Sequence, residues 1–289
     1  MAVETQLRKQ PMPLTAEKPV TETIRASFNY VVDTGVPPVR YIDWPEMEHK
    51  AVPPQYQQCE MTVRNGRPLR DTFRLNTHGF VFVDHVTRVK NFTDEAERAR
   101  VYDLEVQALV KKHSGASEVV VFDHTLRIGD EEMQKALNAR PTVKGVHNDY
   151  TEASAPRRLR EIVGDAEAER RFKKRWAIIQ VWRPIRGKVL IDPLGICDGR
   201  TIPQQGFIRV ERRYKDRTGE VYHIAHNPAH EWFYFPQMER HEALVFKVFD
   251  SDAGKPSRFT AHSAFDDPST PTGAPPRESI ETRTFVFFD

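Results

Sequence analysis

Cysteine is scarce, with Cys59 and Cys197 the two thiols in 289 residues. A disulfide framework is excluded, and so is a zinc site built from cysteines within the chain. The two lie too far apart in sequence to form the close pair of a zinc finger. Such a chain suits a reducing compartment, so the expected location is cytoplasmic. No apolar run approaches the roughly 18 to 20 residues that cross a bilayer, and no membrane helix is expected. The first 25 residues have no apolar centre of the secretory kind. Without that route the sequon Asn91-Phe92-Thr93 carries no weight. Excess charge of one sign is also missing: 43 Lys and Arg face 41 Asp and Glu, a net of +2. Nucleic acid is therefore not expected as the main partner. The phosphate loop GxxxxGK[ST], the GxSxG elbow and HExxH are all absent, which removes local support for nucleotide-transfer and hydrolase readings.

What is present describes an ordinary globular chain. Hydrophobic residues make up 39% and charged residues 29%, and 17 phenylalanines favour strands. Residues 1–24 are polar and carry three prolines, so a loose N-terminal arm is expected. A proline-rich stretch at 35–58 reads as an irregular surface wrap. Asn65-Gly66 between two apolar runs predicts a hairpin joining 59–63 to 69–75. Asp94 to Lys112 reads as a capped helix with Val101, Leu104, Val106, Leu109 and Val110 on its apolar stripe. Two more helices are expected at 130–138 and 161–174, and strands at 79–83 and 117–122. From Arg175 onward short apolar runs at 176–182, 189–191, 206–210, 221–225, 232–235, 243–249, 258–262 and 280–288 alternate with turn signals. That texture indicates an antiparallel sandwich or barrel rather than a parallel sheet.

The sharpest local feature is His147-Asn148-Asp149. In an extended segment, residues i and i+2 point the same way, so His147 and Asp149 can reach one ion. Two histidines and one carboxylate on one face leave positions open, as in the facial triad of non-haem Fe(II) oxygenases. In a double-stranded β-helix the HxD follows an early core strand, a distal His ends the penultimate strand, and an Arg near the last strand grips a 2-oxo acid. Arg258 to His262 reads as a short strand ending in His. Arg277, 15 residues later, opens the triplet Arg277-Glu278-Ser279. Arg277 with Ser279 suits a carboxylate clamp, and Arg283, within the last strand, is the other candidate. His262 is the preferred distal ligand and His241 the runner-up, while His223, His226 and His230 are spaced closely enough for a separate cluster. Among weaker candidates for substrate contact, Tyr150 adjoins the motif. Arg127 and His124 follow a strand, unless Asp123 and Arg127 simply pair across a turn. Trp182 and Arg183 end another strand, where Trp182 reads more readily as core and Arg183 as a substrate or loop contact.

Several segments converge on one family. They are Phe122–Arg127, Val146–Thr151, Ala155–Arg158, Val181–Pro184, Pro193–Asp198, Phe249–Ser251, Arg258–Phe265 and Pro275–Glu281. The chain resembles the hydroxylase/desaturase family of fungi and bacteria, which includes fungal secondary-metabolism hydroxylase/desaturases, gibberellin desaturase-like proteins and cephem 7α-methoxylase subunit-like proteins. The resemblance covers about residues 120–289 most clearly. It implies a mainly β, cupin-like jelly roll with flanking helices, forming one oxygenase domain over residues 1–289. It implies non-haem Fe(II) with 2-oxoglutarate and O2 as co-substrates, and hydroxylation or desaturation of a small molecule. It favours His262 over His241, because relatives often carry an acidic residue at that position. Two other readings stay open: an iron oxidase that needs no 2-oxoglutarate, and a cupin-like protein that binds a small molecule without turnover.

Overall fold

The computed structural model describes residues 22–289. Fourteen strands occur in chain order: β1 Thr23–Val31, β2 Val39–Tyr41, β3 Tyr56–Asn65, β4 Phe80–Asp84, β5 Glu118–Ile128, β6 His147–Asn148, β7 Trp176–Pro184, β8 Leu194–Cys197, β9 Phe207–Arg213, β10 Thr218–Ile224, β11 Trp232–Tyr234, β12 Glu242–Asp250, β13 His262–Ala264 and β14 Glu278–Phe287. The helices are α1 Glu95–Glu97, α2 Asp103–Ser114, α3 Glu131–Ala136, α4 Ser154–Val163 and α5 Asp165–Arg171, with a π-helical turn Arg98–Tyr102 joining α1 to α2. None is long and apolar enough to cross a membrane.

Two sheets face each other. One holds five strands in the order β4-β12-β7-β14-β5, and the other nine in the order β1-β3-β11-β8-β13-β6-β10-β9-β2. This is the jelly-roll architecture. Alternation along the strands builds most of it. In β12, Leu244, Phe246 and Val248 point between the sheets with Trp176, Ile178 and Trp182 of β7. Ala243 and Val245, with Ala177, Ile179 and Val181, point outward, where Val106, Leu109 and Val110 of α2 cover them. Both faces of β7 and β12 are thus buried, which is why these antiparallel strands read as unbroken apolar runs. Each large side chain so buried contributes roughly 1.5–3 kcal/mol. A third cluster, including Phe28, Tyr30, Trp232 and Tyr234, seals the outer side of the nine-stranded sheet.

The departures from the sequence reading have physical causes. No hairpin forms at Asn65-Gly66: Gly66 is right-handed, and Arg67–Thr72 coils into a 3-10 turn. Gly66 sits against the Phe235 ring, and its N–H donates to the Tyr234 carbonyl, so β3 pairs with distant β11 instead. Leu104 is exposed, because the π turn rotates the helical stripe. The charged helix breaks at Gly164, whose φ is 82°, into α4 and α5. Residues 189–191 form no strand, and His262 opens β13 rather than ending a strand. The expected arm lies outside the described residues except at its end, where Thr23 already belongs to β1.

Candidate metal centre

β6 is only two residues long, yet it sits between β13 and β10, and His147 pairs in register with both His262 and His223. Residues directly opposite on neighbouring strands point to the same side. Three imidazoles therefore line one row. Asn148 faces the other way and is fully buried. Its side-chain N–H groups donate to the carbonyls of Tyr150 (2.7 Å) and Val248 (2.9 Å), and its carbonyl accepts from Thr260 N–H. This one amide ties the HxD segment to β12 and to the loop that delivers His262.

His147, Asp149 and His262 bring donor atoms within 4.8 Å of one another, and their environment suits a cation. His147 Nδ1 lies 2.8 Å from the Gly145 carbonyl, and His262 Nδ1 lies 3.3 Å from that of Thr260. Nδ1–H donation in both rings turns the Nε2 lone pairs inward. Nε2 of His262 is buried without a partner. Nε2 of His147 lies 3.5 Å from Asp149 Oδ1. Burial, with His262 nearby, pushes the His147 pKa down to about 4, and burial lowers that of His262. Both rings are therefore neutral donors near pH 7. The Asp149 carboxyl stays ionised: burial alone would raise its pKa, but Arg283 and the two imidazoles hold it well below the usual range. Arg283 Nη2 (2.9 Å) and Gln180 Nε2 (2.6 Å) both donate to Oδ2, leaving Oδ1 to face the histidines. Two neutral imidazoles, one carboxylate and one orphaned buried nitrogen fit a divalent ion.

Arg283 reaches this position along the inner row of β14. It also donates to Asp123 Oδ2 (2.6 Å), Thr125 Oγ1 (2.8 Å) and Glu281. A bulge in β5 makes this possible. The register jumps between Asp123 and Val121, so Phe122 and Asp123 both turn inward. Arg283 is thus committed to three carboxylates and is no free clamp. Arg277 is buried differently. Its Nη1 donates to the Asp192 carbonyl, its guanidinium stands 5.4 Å from the Trp182 ring, and its Nε has no partner. Burial, with Arg127 nearby, pushes its pKa down to about 10. Ser279 Oγ is likewise buried and unpartnered. Two orphan donors in one Arg-x-Ser triplet fit a carboxylate.

A cavity of about 970 Å³ opens beside the triad, lined by His147, Asp149, Arg283, Tyr150 and Arg127 among others. Arg127 takes the first sequence-based alternative: it lines this cavity and pairs with the Pro141 carbonyl and Glu281, not Asp123. Of the other candidate contacts, His124 borders the cavity, while Trp182 and Arg183 take the core and loop places that the sequence also allowed them. Both ring nitrogens of His124 are committed, to Thr282 and Asp103 at 2.8 Å, towards α2. Arg183 is fully buried on that same side, against His85 and the Tyr102 ring. Trp182 lies in the core under Arg277. His241 stands elsewhere, half-exposed beside Glu239. His226 and His230 flank Tyr30 instead of joining His223. His223 lines the cavity, with Tyr56 Oη 2.8 Å from its Nδ1. Sequence reasoning missed Gln180, Glu281, Tyr56 and the placement of His223 opposite His147. Gln180, a polar break in the apolar alternation of β7, was the one legible signal.

The chain matches the Oxidoreductase/YMDC permease-like domain family over residues 28–287. It is similar to the Fe(II)/2-oxoglutarate-dependent dioxygenase nvfI of Aspergillus novofumigatus, with 36% identity over 77% of this chain and 81% of that protein. It is similar to the hydroxylase/desaturase CTB9 of Cercospora beticola, with 36% identity over 81% of this chain and 78% of that protein. Among solved structures, the iron and alpha-ketoglutarate-dependent endoperoxidase NvfI superposes with a TM-score of 0.84 at 29% identity, covering 92% of this chain and 98% of that one.

Proposed function

Because the chain belongs to the family of Fe(II)/2-oxoglutarate-dependent dioxygenases and hydroxylase/desaturases, we propose that it is a cytoplasmic enzyme of this kind that hydroxylates or desaturates a small molecule, of the secondary-metabolite type. The observation that carries the site assignment is the convergence of His147, Asp149 and His262, with one Nε2 buried and unpartnered. These three residues would hold Fe(II), which, once bound, supplies the activation of O2 coupled to oxidation of 2-oxoglutarate.

The protein's own residues do the rest. The Gly145 and Thr260 carbonyls fix both imidazole tautomers. Arg283 and Gln180 occupy one oxygen of Asp149 and so orient the other. Arg277 and Ser279 take the distal carboxylate of 2-oxoglutarate, as their unmet donors suggest. The Phe246 ring, 4.9 Å from that of His262, closes the apolar side of the centre to water. Tyr150, Arg127 and His223 face the cavity, where the substrate lies.

Anaerobic titration with Fe(II) and 2-oxoglutarate tests this reading. The expected result is a weak visible charge-transfer band in the wild type that is absent in His147→Ala. A wild type without the band would overturn it. Succinate formation under air separates the proposal from a 2-oxoglutarate-independent oxidase, a reading that leaves the Arg277 and Ser279 donors unexplained. Binding without O2 consumption would instead identify a non-catalytic binding protein.

A further inference from the structure

The hairpin formed by β9 and β10 extends the face of the sheet that carries the histidines. His147 pairs with His223 of β10, and further along the hairpin Val221 pairs with Val210 and Gly219 with Arg212. Those residues alternate onto the cavity side, and all line the cavity. β2 then adds in parallel and sets Arg40 directly opposite Arg212. Like charges opposite each other on neighbouring strands are destabilising unless something answers them. Here nothing does. Among the described residues no carboxylate pairs with Arg40, Arg212 or the nearby Arg140, and no side-chain hydrogen bond involves any of them.

Most carboxylates around the same cavity are already spent, although Asp43, just after β2, also lines it with no ion pair among the described residues. Asp123 and Asp149 are taken by Arg283, Glu161 by Arg158, and Glu220 by Thr151 and Arg209. Arg212 is half-buried, and burial together with Arg140 and Arg40 lowers its pKa against the pull of Tyr214 and Asp149. The same two strand arginines act on Tyr56 and His223, a polar pair beside His147. The cavity thus has a polar metal end and a separate end where Arg40, Arg140 and Arg212 outnumber the one unpaired carboxylate, Asp43.

We propose that the substrate of this enzyme carries a carboxylate, which docks on Arg212 and Arg40 with Arg140 beside them and so directs a remote carbon of the same molecule towards the triad. This rests on the dioxygenase reading above and narrows its substrate class. The clamp is distinct from the Arg277 and Ser279 pair at the start of β14, which keeps its own unmet donors for the co-substrate. A guanidinium pair offers bidentate, charge-assisted donors that an ester or alcohol at the same place cannot fully use. Positive charge at the mouth would also speed the approach of an anion.

The test uses the anaerobic Fe(II) and 2-oxoglutarate complex with two probes of one shape, 2-naphthoate and its methyl ester. Affinities are read by calorimetry and by perturbation of the charge-transfer band. The acid should bind at least about 10-fold more tightly than the ester. The double variant Arg40→Gln/Arg212→Gln should reduce that contrast to under about 2-fold, Arg212→Lys should keep part of it, and 2-oxoglutarate affinity should not change. No contrast in the wild type, or a contrast that survives the double variant, would overturn the proposal. Loss of 2-oxoglutarate binding in the double variant would overturn it too, by making these arginines the co-substrate anchor while leaving the enzyme reading intact. Absence of the band in the wild type would instead sink the enzyme reading itself. Relief of charge crowding should leave the double variant's thermal midpoint at or above the wild-type value. A lowered midpoint would show that the arginines serve the fold and would likewise refute the clamp.

Discussion

Replacing Arg283 with Met tests the electrostatic frame of the metal centre. Arg283 stands between Asp149, Glu281 and Asp123, whose side chains are 10%, 3% and 41% exposed. Methionine fills much of the same volume but leaves two buried carboxylates without their cation. Removing one partner of a buried pair costs about 3–5 kcal/mol. Glu281 keeps Arg127 at 4.0 Å, which places the loss near the lower end. For a chain of this length each kcal/mol lowers the thermal midpoint by about 2 °C, so the metal-free variant should melt roughly 6–8 °C below wild type. A divalent ion on Asp149 supplies the missing positive charge. The deficit should therefore shrink by about half in the metal-loaded protein, since binding to the native state stabilises it by mass action. Scanning calorimetry of both proteins, with and without Fe(II) under argon, measures the four midpoints. A metal-free loss below about 2 °C, or an equal loss with and without metal, would refute the reasoning. Affinity for 2-oxoglutarate should change only a few-fold. A collapse would identify Arg283, not Arg277, as the anchor.

The other predictions concern neighbouring parts of the site. Arg277→Ala should weaken 2-oxoglutarate binding by roughly 100-fold and Ser279→Ala by roughly 5- to 10-fold, the cost of losing a charge-assisted fork and a single hydroxyl; equal affinities in a band titration would remove both from the co-substrate site. Gly79 adopts φ 90°, and a Cβ there would strike Thr260 Oγ1 and Ser257 Oγ. Gly79→Ala should cost about 2–4 kcal/mol and also loosen metal binding, because the Thr260 carbonyl orients His262; a denaturation midpoint unchanged from wild type would show that the loop yields freely. Stability should also respond to acid. Burial, with His262 close by, holds His147 at about 4, while burial, with His147 and two arginines close by, holds His223 at about 3. Both lie below the roughly 6.5 of an unfolded chain. As pH falls from 6.5 the unfolded state binds protons that the native state refuses, so the stability present above 6.5 drains away down through pH 4 and 3. The metal-free midpoint should drop steeply between pH 6.5 and 4.5, less so in His223→Phe; a flat profile would contradict the burial assigned to these rings.

Several parts of the fold were legible because they depend on local periodicity. Short apolar or β-branched runs bounded by turn signals mark β7, β12 and β14. Asp94 and Asp130 accept hydrogen bonds as N-caps, as their sequence positions suggest. β8 and β6 were missed, because strands of four and two residues are too short for any period to show. The Asn65-Gly66 signal misled, since backbone pairing with distant β11 outweighed a local turn preference.

The sequence by itself determined the chemistry on offer: an HxD motif whose spacing aims two donors one way, an Arg-x-Ser triplet near the end, and too few cysteines for sulfur ligation. Only the tertiary structure shows which histidine lies beside His147 and Asp149 and which arginine keeps a donor unpartnered. Those choices turn on cross-strand register, which sets His262 and His223 on either side of His147, and on the bulge in β5, which turns Asp123 inward to help bind Arg283. Register and bulges arise from pairing between segments more than 70 residues apart in this chain, such as His147 with His223. No local pattern encodes them, because the hydrogen bonds that fix them exist only once the sheets have formed.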